Sequence, residues 1–263
     1  MQNPWLVAVA LNTLLIGVAF VSPKKLLTPM GYLHAWVLGV IVWGCLGGQA
    51  YGVMLVYFAA GSAVTKVGFA EKEAAGIAEE RGGVRGPGNV WGSALTAAIC
   101  ALLVWITGLT SLSVAGLPAH QVAQLLVLGF VASLSTKLSD TTATEIGKAY
   151  GQRTFLITTL QPVPRGTEGA VSLEGTLAGV VGSLVLAVAA WGIGFIPAVG
   201  IVLCAAAAFV ATTIESLIGA TIEDKLPGLT HDVVNIINTL IGAVVAIALA
   251  LIGQAALGTA LIL

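Results

Sequence analysis

Eight long apolar stretches alternate with shorter polar connections along the chain. A helix that crosses a bilayer needs about 20 mostly apolar residues, because each residue adds about 1.5 Å along the helix axis. The pattern therefore predicts an all-α, polytopic integral membrane protein with about eight transmembrane helices in one transmembrane domain, residues 1–263. The predicted spans are Trp5–Val21, Leu33–Leu46, Ala50–Thr65, Val90–Thr107, Val122–Leu138, Leu173–Trp191, Phe195–Ile222 and Val233–Ile252.

Two pairs of spans are separated by only a few residues. Gly47, Gly48 and Gln49 lie between the second and third spans, and a second glycine-containing connection at 192–194 lies between the sixth and seventh. Both connections predict tight helical hairpins. Residues 254–263 are too few for another crossing, so we expect them to extend the last helix.

Composition supports a membrane protein and excludes a nucleic-acid-binding one. The chain is 57% hydrophobic and 9% charged, against roughly 25% charged residues in a soluble domain, and its mean hydropathy is +1.00. A net charge of -1 supplies no basic surface for DNA or RNA. The three cysteines lie within apolar stretches and predict neither a zinc site nor a disulfide. No positive residue precedes the first stretch, so we expect it to be retained rather than removed as a signal peptide.

The charged residues are distributed on one side of the predicted bundle. When the eight spans alternate across a bilayer, all eleven Lys and Arg residues fall in, or at the edge of, connections on one face. The connection 108–121 and both termini lie on the other face. Because cytoplasmic loops carry the excess of Lys and Arg, we expect the charged face to be cytoplasmic, or stromal in a plastid, with both termini opposite. The acidic residues lie on or near the same face, which predicts a one-sided polar site.

The connection before the fourth span contains a glycine-rich segment with two arginines, Arg81–Asn89. Glycine lets backbone N–H groups approach an anion, a helix N-terminus carries partial positive charge, and arginine binds phosphate oxygens with its planar fork. These features favour a phosphate site. Taken alone, however, the segment equally suits a flexible loop with arginines at the lipid headgroups, and it matches neither standard nucleotide-binding fingerprint.

Acids and hydroxyls replace apolar residues directly after the fifth span, at Ser139–Gly147. On a continuous helix Asp140 lies beside Thr144 and Glu145 beside Thr141, so the two carboxylates flank a hydroxyl-rich patch. Such oxygen ligands suit Mg²⁺, which keeps positions open for substrate phosphates. The alternative is an ordinary solvated helix end, which the depth of Asp140 in an apolar span weakens.

Three further groups are candidates for the same polar face. Arg165 and its glycine-containing loop precede the sixth span. They could bind phosphate, or they could simply form the start of the helix. Glu215 lies inside the seventh span, as a functional carboxylate or as a hydrogen-bond partner of a neighbouring helix. Asp232, Asn235 and Asn238 follow one stripe at the start of the eighth span and suggest a ligand or metal. Asp232 alone could instead be an acid of the helix N-terminus, which would not explain the two asparagines. No histidine receives a catalytic role.

At these residues the chain resembles the integral-membrane phytyl-phosphate kinase family of plants and cyanobacteria, and the likeness covers most of the chain. Departures from the family pattern are Thr142, where an aromatic residue is usual, and Glu168, where Asn is more frequent. The motifs that carry the resemblance are Thr65-Lys66, Arg85-Gly86 with Asn89-Val90, Ser139-Asp140-Thr141 with Thr144-Glu145 and Gly147, Gly166-Thr167 with Gly169 and Ser172, Glu215-Ser216 with Gly219, and Asp232-Val233-Val234-Asn235.

The resemblance implies phosphoryl transfer from a nucleoside triphosphate, CTP or ATP, to a prenyl monophosphate in tocopherol or related prenyl-lipid synthesis, with Mg²⁺ as cofactor. This reaction requires mainly positioning and charge neutralisation. The expected partners are the prenyl-phosphate lipid, the nucleotide and membrane lipids. The implied catalytic residues are Asp140, Glu145, Lys66 and Arg85; those binding the nucleotide or phosphate are Gly82, Gly83, Gly86, Asn89, Arg165, Gly166, Thr167, Gly169 and Ser172; those holding the metal are Asp140, Glu145, Glu215, Asp232 and Asn235.

Two other functional classes are compatible with parts of this pattern. A prenyl-alcohol kinase or a cytidylyltransferase would use similar loops. A small-solute transporter is suggested by Glu215 and the glycine-rich spans, but it predicts polar groups at the bilayer midplane with gates on both sides. Here the polar groups gather at one rim.

Overall fold

The computed structural model describes residues 3–23, 25–111, 113–222, 226 and 228–257. Long helices form nearly the whole of this part of the chain, which confirms the predicted all-α membrane architecture. In chain order the elements are α1 (Pro4–Val21), α2 (Pro29–Thr65), α3 (Phe69–Ala74), a short 3₁₀ helix (Glu80–Gly83), α4 (Pro87–Thr110), α5 (Ala119–Tyr150), β1 (Thr154–Leu156), β2 (Ala170–Ser172), α6 (Leu173–Gly192), α7 (Val199–Thr221) and α8 (His231–Leu257).

Helix α2 is two antiparallel half-helices that meet at Gly47. Gly47 has φ 75° and ψ -162°, which breaks the helix. Both halves contact Asn12 on α1. In the second half, the Tyr51 hydroxyl donates to Asn12 Oδ1 at 2.9 Å. In the first half, a Cβ added at Gly39 would lie 1.9 Å from the same oxygen. In a straight helix these twelve residues would span about 18 Å. The chain therefore reverses at Gly47, as the glycine pair predicted.

Seven helices of the described residues are long and apolar enough to cross a membrane. Because α2 doubles back, these seven helices correspond to the eight predicted crossings. The helices begin and end close to the predicted spans; α5 and α8 are longer than predicted because their polar ends stay helical. The predicted extension of the last helix is observed as far as residue 257, and residues 258–263 lie outside the described residues. Lys24 and Lys225 lie outside them as well.

Helix α5 lies at the centre of the bundle and contacts α2, α4, α6, α7 and α8. It has 32 residues, about 48 Å of helix, so it is longer than the hydrocarbon core of about 30 Å. Glycines on α6 allow a close approach: a Cβ on Gly175 or Gly179 would lie 2.7 Å from Ala143 O or 3.0 Å from Ser139 O. Small residues at an interface let two membrane helices pack backbone to backbone.

The segment 139–172 is only partly a loop. Its first residues continue α5 to Tyr150, so Asp140 and Glu145 are helical as predicted. After α5 the chain forms a small antiparallel hairpin that the hydrophobic pattern did not predict, with β1 paired to β2 in the register Thr154–Ser172, Phe155–Val171 and Leu156–Ala170. The hairpin leads directly into α6 and fixes where that helix begins.

Candidate functional site

A cavity of about 430 Å³ lies at the polar end of the bundle. Residues from α2, α4, α6, α7 and α8 line it together with the second half of α5 and the β1–β2 connection. The volume is within the range of about 300–1,000 Å³ that is typical of small-molecule sites. The charged side chains that line it are Glu79, Arg85, Lys137, Asp140, Glu145, Lys148, Glu168 and Glu215. Most of the predicted polar face therefore converges on one cavity.

Lys137 lies in the wall of this cavity between two oxygen acceptors. Its Nζ is 2.5 Å from Asp140 Oδ2, one turn further along α5, and 2.5 Å from Asn235 Oδ1 on α8. The Lys137 and Asp140 side chains are only 8% and 15% exposed. A buried charge is costly unless it is paired and hydrogen-bonded. These two contacts therefore stabilise a cation inside the membrane bundle, at the cavity surface.

A second carboxylate, Glu215 on α7, lines the same cavity as Asp140. Asn238 Nδ2 on α8 donates to Glu215 Oε2. Asn238 Oδ1 is buried and has no hydrogen-bond partner in the described part of the chain. Two carboxylates that face one cavity repel each other, so a cation between them is stabilising. The group therefore concentrates oxygen ligands at one point of the cavity.

Arg85 brings a further cation to the cavity from the connection before α4. Arg85 N donates to Leu26 O and Thr28 N donates to Arg85 O, both at 3.0 Å. The guanidinium lies 5.8 and 5.6 Å from the ring centroids of Tyr57 and Phe58, and no carboxylate of the described residues lies within 4.0 Å of it. The rings orient the guanidinium without neutralising it, so its charge is available to an anion in the cavity.

Lys72 and Glu145 form a buried ion pair beside the cavity. Lys72 Nζ also donates to Thr65 O at 2.9 Å, and the two side chains are 0% and 6% exposed. α3 begins after Gly68, whose φ of 58° turns the chain back over the bundle. Glu145 lies five residues after Asp140, so it leaves α5 in a direction about 140° away. The two carboxylates predicted to share one cation are thus each paired with a different lysine.

The protein family that contains this cavity follows from sequence similarity. The model of the family described as integral membrane protein DUF92 matches residues 12–243. The chain belongs to the DUF92 family. An integral-membrane family is therefore confirmed, as the motif resemblance predicted.

Relatives of this DUF92 chain occur in bacteria, plants and archaea. An uncharacterized membrane protein of Synechocystis is 61% identical over 245 residues, which are 93% of this chain and 90% of the relative. The Arabidopsis thaliana protein named "Protein VTE6, chloroplastic" is 42% identical over 245 residues, 92% of this chain and 71% of the relative. An uncharacterized membrane protein of Methanocaldococcus jannaschii is 28% identical over 228 residues, 86% and 87% of the two chains. No solved structure matches.

Most of the predicted site residues of this DUF92 protein line the same cavity, although they come from five separate parts of the chain. Those in the cavity wall are Gly83, Arg85, Asn89, Asp140, Glu145, Gly166, Thr167, Gly169, Ser172, Glu215 and Asn235. Those outside it are Lys66, Gly82, Gly86, Arg165 and Asp232. Both connections predicted as phosphate loops therefore reach the cavity, but only some of their residues do.

The charged residues outside the cavity have other contacts. Lys66 is exposed at the end of α2. Arg165 Nη1 donates to Ala149 O at 2.9 Å and so closes the end of α5. Asp232 packs against the start of α4, where a Cβ on Gly88 would lie 1.9 Å from Asp232 Oδ2. An acid at a helix N-terminus is stabilised by the helix dipole. Asp232 therefore contacts the start of α4 and is not among the residues that line the cavity.

Two cavity-lining side chains also cap helices. Asn89 Oδ1 accepts from Gly86 N at 3.0 Å at the start of α4, and Ser172 Oγ accepts from Gly175 N at 3.1 Å at the start of α6. Such caps satisfy backbone donors that have no partner within the helix. These residues thus fix where two helices begin at the cavity.

Sequence reasoning missed two lysines and a tyrosine. Lys137 lies three residues before Asp140 on one helix, a spacing that places two side chains in contact and could have identified the pair. Lys72 gave no such signal, because a lysine in a charged loop is normally solvated. Tyr57 lies in an apolar span, and only the reversal of α2 brings it to Arg85, whose Nη1 is 3.5 Å from the Tyr57 oxygen.

Proposed function

We propose that this DUF92 protein is a membrane phosphotransferase that transfers a phosphoryl group from CTP or ATP to a prenyl monophosphate, such as phytyl phosphate, for tocopherol and related prenyl-lipid synthesis. The observation that carries the proposal is the cavity that Arg85 and Lys137 line together with the carboxylates of Asp140 and Glu215. The motif resemblance to phytyl-phosphate kinases and the 42% identity to the Arabidopsis relative support the same class of activity.

The two cations account for binding of two phosphorylated substrates. Arg85 has a charge that no described carboxylate neutralises, and its fork suits two phosphate oxygens at once. Lys137 is a point charge with three donors, and its two observed acceptors leave a third direction for a substrate oxygen. We assign the donor phosphates to Arg85 and the glycine-containing loops, and the transferred phosphoryl group to Lys137.

The reaction needs no strong base in the protein. An oxygen of the prenyl phosphate forms the new bond to the terminal phosphorus of the nucleotide, and the bond from that phosphorus to the bridging oxygen breaks, which releases the nucleoside diphosphate. The attacking oxygen already carries negative charge. The work of the protein is to hold both substrates in line and to neutralise the charge that develops.

The residues fit a magnesium ion in part, although no group of three or more His, Cys, Asp or Glu ligands was found among the described residues. Mg²⁺ in phosphoryl-transfer sites uses one or two carboxylates and takes its other ligands from phosphates and water. Asp140 and Glu215 provide two carboxylates in the cavity wall, and Asn235 provides an amide oxygen. These three residues would hold the ion, which would shield the nucleotide phosphates. Glu145 pairs with Lys72 instead.

The one-sided arrangement favours a kinase over a transporter. The cavity lies where α4, α6 and α8 begin and α5 and α7 end, so its charges lie at one rim of the bundle. A lipid phosphate presents its headgroup at that depth, and a soluble nucleotide reaches it from the adjoining water. We place this rim on the cytoplasmic or stromal side, following the distribution of lysine and arginine.

The direct test is incubation of the purified full-length protein with phytyl phosphate, Mg²⁺ and either CTP or ATP carrying a labelled terminal phosphate. The expected products are labelled phytyl diphosphate and the nucleoside diphosphate, identified by mass spectrometry. Release of pyrophosphate would identify a cytidylyltransferase, and phosphorylation of free phytol would identify a prenyl-alcohol kinase. Either result would refute the proposed reaction.

Two lysine variants, one in the cavity and one outside it, test whether the activity depends on the cavity. Lys137→Met should reduce kcat by at least about 100-fold, the size of effect expected when one charge-stabilising donor is lost. Lys25→Met removes an exposed lysine elsewhere in the chain and should keep wild-type activity. Equal activity of the two variants, with both eluting as monodisperse folded protein, would contradict the assignment of Lys137.

A further inference from the structure

The cavity also runs between α6 and α7 towards the lipid-facing surface. Thr176 on α6 and Phe209 on α7 line it, and both side chains are exposed, Phe209 to 50%. In a transmembrane bundle the surface at this depth faces acyl chains rather than water. The cavity is therefore open sideways to the bilayer as well as towards its polar end.

The position of Phe209 shows how far the cavity descends. Phe209 precedes Thr221, the last residue of α7, by twelve residues, which correspond to about 18 Å of helix. With a hydrocarbon core of about 30 Å, Phe209 lies near the middle of the bilayer. Glu215, six residues further along α7, lines the same cavity closer to the rim. One continuous space thus joins the carboxylates to the interior of the bilayer.

The hydroxyl groups of α7 near these two levels donate to carbonyl oxygens of their own helix. Thr212 Oγ1 donates to Ala208 O at 2.9 Å, Thr213 Oγ1 to Phe209 O at 2.7 Å, and Ser216 Oγ to Thr212 O at 3.0 Å. When hydroxyl hydrogens are used by carbonyls of the preceding turn, the side chains lose most of their polarity towards a ligand. The α7 side of the cavity is therefore suited to a hydrocarbon chain, although Thr212, Thr213 and Ser216 are polar residues.

We propose that the groove between α6 and α7, lined by Thr176, Phe209, Thr212 and Thr213, is a lateral entrance that binds the prenyl chain of the lipid phosphate. The prenyl chain enters from the bilayer and lies against Phe209, while the lipid phosphate reaches Lys137. The identity of the chain as prenyl rests on the proposed function. The cavity has cations at one end and an apolar lateral opening at the other. It therefore matches an amphiphile, whose anionic head would lie beside the cations and whose long apolar chain would stay in apolar surroundings.

The first test compares long and short substrates in variants of the groove. Thr213→Trp should fill it, so the ratio of kcat/KM for phytyl phosphate to that for dimethylallyl phosphate should fall at least about tenfold, because several methylene contacts are lost. Val210→Trp changes a neighbouring lipid-exposed residue outside the cavity and should leave this ratio unchanged. An unchanged ratio in Thr213→Trp, or an equal fall in both variants, would refute the entrance.

The second test does not depend on catalysis. Photoreactive p-benzoylphenylalanine replaces Phe209 in one variant and Val202, an exposed residue on the same helix, in the other. Both are irradiated with radiolabelled phytyl phosphate. Labelling at 209, with competition by unlabelled phytyl phosphate but not by phosphatidylcholine, supports the entrance even if no diphosphate is formed. Equal labelling at both positions, or competition by phosphatidylcholine, would show ordinary lipid contact and overturn it.

Discussion

The buried pair formed by Lys72 and Glu145 gives the sharpest prediction about stability. Lys72→Met removes the lysine charge but keeps the length of the side chain, and it leaves the Glu145 carboxylate buried at 6% exposure without its partner. It also removes the hydrogen bond from Lys72 to Thr65 O. Breaking one half of a buried ion pair is strongly destabilising, whereas replacing both halves by apolar residues is often neutral.

The expected cost is about 3–5 kcal/mol for Lys72→Met or for Glu145→Met alone. Because 1 kcal/mol shifts the Tm of a chain of this size by roughly 2–4 °C, each single variant should lose about 6–20 °C. The double variant should recover most of this loss, since it leaves no uncompensated charge. The Tm values are measured in one detergent by intrinsic tryptophan fluorescence, with Lys25→Met as an exposed control.

The double variant also separates two roles of Glu145. If Glu145 only anchors α3 and the end of α2 to α5, activity should return together with stability in Lys72→Met/Glu145→Met. If Glu145 binds magnesium, as the motif resemblance implies, the double variant should be stable but inactive. Single variants whose Tm stays within about 2 °C of wild type would refute the buried ion pair itself.

Three further predictions concern the cavity and its frame. Asp140→Asn should abolish turnover, measured as phytyl diphosphate formed by folded protein; near-normal turnover would exclude Asp140 from the metal site. Arg85→Ala should raise KM for the nucleotide more than KM for the lipid phosphate in steady-state assays, and the opposite order would contradict the donor site. Gly175→Ala places a methyl group 2.7 Å from the backbone oxygen of Ala143, which cannot move without shifting α5, so it should lower stability by about 1–3 kcal/mol. A Tm equal to that of the wild type would refute the close packing of α6 on α5.

The membrane architecture was predictable because its signal is local. Lipid offers no hydrogen bonds to the backbone, so each span must be a helix and must carry its apolar residues within its own segment. The reversal inside α2 was predictable for a similar reason, since Gly47 and Gly48 interrupt the apolar pattern. The helical conformation around Asp140 followed from continuity with the fifth span, and the small β1–β2 hairpin had no comparable local signal.

The candidate site was predictable as a set of residues but not as a set of partners. The positions of Asp140, Glu215 and Asn235 drew attention because polar groups are expensive within apolar spans. Their contacts could not be read from spacing: Glu145 turned out to pair with Lys72, and Asp232 turned out to pack against α4.

The sequence by itself thus determined that this protein is an all-α bundle of membrane helices, since each span depends only on which residues are neighbours in the chain. The tertiary structure alone decided which lysine faces which carboxylate, and it alone opened the groove beside Phe209 to the bilayer. Those features depend on how helices distant in sequence pack against α5, and that packing is set by close contacts at glycines and buried polar atoms rather than by hydropathy.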